Sequence, residues 1–208
     1  MSHKKTFPST VLIFIIMVLF STNVKGQSAE LSKDSTALLI IDVQQFYFPN
    51  GQLPLKHPEK TSLQIKKVLE VFRKNQMEVI HIKHNVQKNS EIHQNVAPRK
   101  GEKVITKTEA NSFNGTNLNE YLQKKNISSL VITGMQTHMC VEATTRAAYD
   151  LGYKCFLISD GCTTKDLNFN GQTIKAQDVH LSTLNTIENS YGKVLKATEL
   201  IEKLGKLE

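Results

Sequence analysis

The stretch that decides the fold is Val131-Ile-Thr-Gly-Met-Gln-Thr-His-Met-Cys-Val-Glu-Ala-Thr-Thr145. It begins as a β-branched apolar run, turns at Gly134, and enters a helix whose first turn contains Cys140. A buried strand handing directly to a helix is the repeating unit of a parallel α/β sheet. In that helix Cys140, Ala143, Thr144, Ala147, Ala148 and Leu151 recur at helical spacing, which is the face that packs on a sheet. A thiol in a first helical turn lies among free N–H groups, and the macrodipole there favours the thiolate. The same stripe also fits an inert buried cysteine. The rest of the chain has to decide between them.

Working outward, Thr36-Ala-Leu-Leu-Ile-Ile-Asp42 is a continuous apolar run closed by an acid. Continuous rather than alternating apolarity marks a strand covered on both faces. Met77–His84, Val104–Lys107, Ser129–Thr133, Lys154–Ser159 and Lys193–Leu195 read as further strands. Helices are expected from about Glu59 to Asn75, with Leu63, Val68, Leu69 and Phe72 on the apolar side. Others are expected from Thr116 or Asn117 to Lys125, from His138 to Leu151 with Gly152 as its stop, from Gly171 to Asn189, and over Thr198–Leu204. Residues 85–103 read as a long polar loop. Strands alternating with helices give a doubly wound, three-layer α/β/α domain with a mostly parallel sheet of about six strands. Such sheets bind ligands beyond the carboxyl ends of their strands. Asp42, Lys107 and Cys140 all fall on that rim.

The chain has 208 residues and a net charge of +7. Met1–Thr10 carries Lys4 and Lys5 and no acid; Val11–Phe20 is uninterruptedly apolar, and Ser21–Gly26 supplies small exit residues. This is the pattern of a secretory signal peptide, 1–26, followed by one domain, 27–208. The apolar run is short against the roughly 20 residues that span a bilayer, so no stable membrane span is expected after cleavage and the product is periplasmic or secreted. Cleavage removes three lysines and no acid, which brings the net charge to +4. The remaining basic residues are scattered, so nucleic acid is not an expected partner. Cys140, Cys155 and Cys162 are an odd number in an exported chain. Cys155 and Cys162 flank a predicted strand and lie too far apart to bridge, so no disulfide framework is expected.

Three blocks carry a resemblance. They are Ala37-Leu-Leu-Ile-Ile-Asp-Val-Gln44; Ile105-Thr-Lys107 with Ser112-Phe-Asn-Gly-Thr116; and Val131–Ala148 continuing through Gly152-Tyr153 to Ser159-Asp-Gly-Cys-Thr-Thr164. Together they resemble the isochorismatase-like cysteine hydrolases, the superfamily that includes nicotinamidases. The resemblance implies a catalytic triad of Asp42, Lys107 and Cys140. It implies a non-proline cis peptide at Met135–Gln136 and an oxyanion hole formed by the N–H groups of Gln136 and Cys140. The expected activity is hydrolysis of a small carboxamide through a thioester on Cys140.

The chain departs from nicotinamidases where they hold a metal. The matching region, Ile82-Lys-His-Asn-Val-Gln-Lys88, has no Asp, and His81, His84 and His93 do not reproduce the ligand spacing. Alternation along a strand puts His81 and His84 on opposite faces. No metal and no other cofactor is therefore expected. Gln44, Phe46, Tyr47, Phe48, Phe113 and His138 are candidates to line the substrate pocket. Relatives commonly assemble, so a homo-oligomer is expected. The competing readings are a metal-dependent nicotinamidase-type amidase, a binding protein that keeps the fold without turnover, and a redox-reactive thiol protein. The last is weakened by the lack of a Cys-x-x-Cys pair.

Overall fold

A computed structural model describes residue 1 and residues 31–207; the expected signal peptide lies outside the described residues, residue 1 aside. Six parallel strands form the main sheet. They are β1 (Thr36–Ile41), β2 (Glu78–His84), β3 (Lys103–Lys107), β4 (Ser129–Met135), β5 (Lys154–Thr163) and, after the short hairpin strands β6 (Leu167–Phe169) and β7 (Gln172–Ile174), β8 (Lys193–Leu195). The order across the sheet is β3-β2-β1-β4-β5-β8. The order reverses between β1 and β4, so the crevice of this doubly wound sheet opens where those two strands end.

β1 and β4 are the central strands and are buried along their whole length. Their β-branched and Leu side chains supply both faces, which is why neither sequence alternates. On one face α1 (Pro58–Lys74) and α5 (Ala197–Leu204) cover a core of Leu38, Ile40, Ile65, Leu69, Phe72 and Leu200. On the other, α2 (Leu118–Lys124), α3 (Glu142–Asp150) and α4 (Ala176–Ser190) cover Leu39, Ile41, Ile132, Leu157 and Ile187. Among the described residues no helix is long and apolar enough to cross a membrane.

Three sequence expectations are corrected. Leu63 is 49% exposed and Ile65 takes its place in the core of α1. Residues 171–175 are not helical. Asn170 and Gly171 both have positive φ and turn β6 antiparallel into β7, and α4 begins only at Ala176. Its first N–H is capped by Asp166 Oδ1 at 2.8 Å, from ten residues upstream, so the start signal is not local in sequence. β5 also runs further than Ser159. Ile132 pairs with Leu157 but Gly134 pairs with Cys162, so β5 carries extra residues in a bulge through Ser159-Asp160-Gly161. All three cysteines are free and buried.

Candidate active site

Asp42 follows the last residue of β1 in a left-handed conformation, φ 51°, a region that Asp tolerates better than most residues. Its N–H still donates to Ile82 O at 3.0 Å, so the residue stays fixed to the sheet while its carboxylate swings out of the strand pattern. Gly134 pairs with Ile41 beside it, and a Cβ on Gly134 would lie 2.0 Å from Ile41 O. Only glycine lets β4 press this closely against the residue before Asp42.

Lys107 ends β3 and is paired in register with His84, the last residue of β2. Its ammonium is buried. It lies 2.8 Å from Asp42 Oδ2 and donates to His84 Nδ1 at 3.1 Å and to Glu109 O at 3.0 Å. Those three contacts match the three donors of the group. Neither Asp42 oxygen has a well-directed hydrogen bond among the described residues, so the ion contact with Lys107 is its main stabilisation.

Cys140 arrives from β4. The Met135–Gln136 peptide is cis, and residues Thr137–Val141 form a wide turn in which the Val141 N–H reaches back to Gln136 O at 3.3 Å. The regular helix starts only at Glu142, so the predicted helix over His138–Leu151 opens with this wider turn. Cys140 is 5% exposed. Its Sγ, a carboxylate oxygen of Asp42 and a ring nitrogen of His84 all lie within 4.8 Å of one another.

The electrostatics correct one expectation. Burial, then the neighbouring Asp42 charge, pushes the Cys140 thiol up to about 12, with Lys107 opposing. These outweigh the helix-start effect that favoured a thiolate. Burial likewise raises the Asp42 carboxyl above its ordinary value, against the pull of Lys107. The resting arrangement is a protonated thiol beside a carboxylate made more basic than usual. His84 is lowered by burial and by Lys107, so it is neutral near pH 7. Because Nδ1 accepts from Lys107, the imidazole proton sits on Nε2.

Asp42, His84 and Cys140 are also the donor types a soft divalent cation would use. They do not fit one here, because Lys107 Nζ already contacts both Asp42 and His84. His81 is on the other face of β2, bonded to Glu102, and His93 stacks on Phe48.

The pocket candidates divide. Gln44 is fully buried and committed to backbone. Its Nε2 donates to His84 O at 3.0 Å and Ser90 O at 2.7 Å, and its Oε1 accepts from His84 N at 2.7 Å. That corrects its reading as a substrate contact, since little of the amide remains free. Phe46 and Phe48 are buried with Tyr47 in the core under α1. Phe113 stays partly buried and stacks on Tyr153, its loop pinned by the 2.8 Å contact between the Ser112 and Thr144 hydroxyls. His138 is half-buried with Nδ1 2.7 Å from Thr164 Oγ1. Tyr47 reaches the site floor, where its oxygen accepts from Gln136 Nε2 at 3.3 Å. The place of His84 beside Lys107 was missed in the sequence, although its position at a strand's carboxyl end was the available signal. A cleft of about 520 Å³ opens alongside, at the end of β5, lined by Lys56, Lys60, Thr163, Thr164, Lys175 and His180; none of Asp42, Lys107 and Cys140 lines it.

Comparison with known proteins matches residues 36–195 to the isochorismatase domain model. YddQ of Bacillus subtilis, an isochorismatase family protein, is 38% identical over 180 residues, covering 81% of this chain and 99% of YddQ. The crystal structure of an isochorismatase hydrolase from Oleispira antarctica superposes with a TM-score of 0.79 at 38% identity, covering 83% of this chain and 98% of that one. A ureidoacrylate amidohydrolase, RutB of Agrobacterium fabrum, is 26% identical over 140 residues, covering 65% of this chain and 61% of that protein.

Proposed function

The chain belongs to the isochorismatase family, and from that premise we propose that it is a metal-free cysteine hydrolase that cleaves the C–N bond of a small carboxamide. The observation that carries this is the meeting of Asp42, Lys107 and Cys140 at the switch point of the sheet, buried away from bulk water. The hydrolase and amidohydrolase relatives support the reaction class.

The chemistry follows from the protonation states. As Cys140 Sγ attacks the carbonyl carbon, its proton passes to Asp42; a high thiol pKa makes this transfer concerted with attack rather than prior to it. The N–H groups of Gln136 and Cys140 receive the developing oxyanion. Asp42 then returns the proton to the leaving nitrogen, the C–N bond breaks, and an acyl-thioester remains. Water, deprotonated by Asp42, attacks the thioester and releases the acid and the thiol. Lys107 holds Asp42 in place as it cycles between carboxylate and acid, and its own position is set by His84 and the Glu109 carbonyl. We also propose that the chain is exported and self-assembles, which sequencing of the mature N-terminus and sedimentation test.

The test uses purified protein and a panel of small amides. Wild type accumulates an acyl adduct on Cys140 seen by mass spectrometry. Cys140→Ala loses turnover while its circular dichroism is unchanged. Turnover by Cys140→Ala overturns the proposal.

A further inference from the structure

One buried amide near the reacting thiol is half satisfied. Gln136 is 2% exposed, its Nε2 rests on the Tyr47 oxygen at 3.3 Å, and its Oε1 has no partner among the described residues. Tyr47 is 5% exposed, and its hydroxyl hydrogen has no acceptor among them. A buried polar atom left unpaired is costly, so such atoms are ordinarily paired with protein, water or ligand. This pair belongs to the site. Gln136 follows the cis peptide, and its carbonyl anchors the turn that carries Cys140. Burial raises the Tyr47 pKa, and Cys140 and Asp42 lie close enough to add to it.

The hydrogen-bonding chemistry of the pair does not depend on which way the Gln136 amide is turned. As assigned, it presents an acceptor, Oε1, beside a donor, the Tyr47 O–H. Turned over, Oε1 would accept from Tyr47, leaving Nε2–H as the donor and the Tyr47 oxygen as the acceptor. Either way one donor and one acceptor stand side by side, the complement of an edge bearing both N–H and C=O. The scissile carbonyl cannot be that edge, because the proposed reaction directs its oxygen to the backbone N–H groups of Gln136 and Cys140.

We propose that the Gln136 side chain and the Tyr47 hydroxyl form a specificity subsite for a second amide-type edge of the substrate. The substrate is then a diamide or ureide rather than a simple monoamide. This rests on the hydrolase reading above. A site built to hydrogen-bond a substrate group discriminates strongly against an analogue lacking it, because its own buried groups are then left unpaired.

The test compares malonamide and biuret, which carry a second amide edge, with butyramide, which does not. In wild type the kcat/KM for malonamide or biuret exceeds that for butyramide by about 100-fold. Gln136→Met and Tyr47→Phe each reduce that ratio below about tenfold, mainly by lowering turnover of the two-edged compounds. A merely structural role would lower all three rates together and keep the ratio, and that result overturns the subsite. So does a wild type that treats butyramide and both two-edged compounds alike. If no amide of the panel leaves an acyl group on wild-type Cys140, the hydrolase reading falls and the subsite falls with it. If acyl-Cys140 forms from butyramide as readily as from the others, only the subsite falls.

Discussion

β2 carries two histidines that belong to two different charge clusters, one on each face of the sheet. Under α1, His81 donates to Glu102, which also takes Arg73 Nε at 2.7 Å, Arg73 Nη2 at 2.9 Å and the Arg99 N–H at 2.8 Å. At the carboxyl end of the strand, His84 joins Lys107 and Asp42. Both clusters set a carboxylate against a cation, yet their carboxylates move in opposite directions. The donors around Glu102 overcome its burial and hold it down at about 2. Asp42 is fully buried and draws mainly on Lys107 and, less, on the Cys140 thiol, so burial wins and it moves up. A saturated carboxylate is a structural tie. An under-supplied one retains lone pairs and basicity to use on a substrate.

The largest expected effect tests that contrast at its centre. Asp42→Asn lowers amide turnover by about 1,000-fold, the scale of a lost general base. The same change removes the charge that helps raise the Cys140 thiol. Iodoacetamide labelling of Cys140 at pH 8 therefore becomes faster than in wild type, where reactivity keeps climbing with pH toward about 12. Slower labelling in the variant would break the assignment of Asp42 as the neighbour that suppresses the thiolate.

Next, Lys107→Met and Arg73→Met each break one cluster. Lys107→Met leaves the buried Asp42 without its cation and costs about 3 kcal/mol, whereas Arg73→Met costs about 1 kcal/mol because the partly buried Glu102 keeps His81 and the Arg99 N–H, both measured by urea unfolding. The clusters differ in what else is lost: Lys107→Met abolishes turnover, whereas folded Arg73→Met keeps it. Inactivity of folded Arg73→Met would erase the distinction between the two faces. A smaller effect reads the Glu102 side alone. Because its folded pKa lies below the ordinary 4.5, its contribution to stability is complete above pH 4.5 and is lost as pH falls toward 2. Thermal melts of Glu102→Gln over that window show a flatter pH slope than wild type. Smallest of all, dialysis against EDTA leaves turnover unchanged, because Lys107 Nζ fills the place between Asp42 and His84. Loss of activity that returns with a divalent cation would show that the ammonium yields to a metal.

The sheet was legible because its central strands carry their burial in local composition: Leu38 to Ile41 and Leu130 to Ile132 are apolar without a break. The rim followed from topology, since Asp42, Lys107 and Cys140 each end or follow a strand. What stayed hidden depends on partners distant in sequence. The start of α4 is fixed by Asp166, and the polar run before it is a hairpin rather than a first helical turn. The aromatic loop at 46–48 joins the core under α1 as a whole, and the contact of Tyr47 with Gln136 could not be read from its composition. The thiol's acidity was misjudged for a similar reason. A helix start is visible in sequence, but the depth of burial and the nearby carboxylate that outweigh it are not.

Gln44 gives the two catalytic strand ends a shared fastener. Its side chain grips both the N–H and the carbonyl of His84, and also the carbonyl of Ser90. The His84 amide proton is thus held by a side chain from the neighbouring strand's exit and not by a ladder partner. Its exchange with deuterium becomes a gauge of whether β1 and β2 remain fastened at the mouth of the site, readable by NMR without substrate. Slow exchange at His84 marks a closed fastener, and Gln44→Ala should make that single amide exchange as a loop amide does.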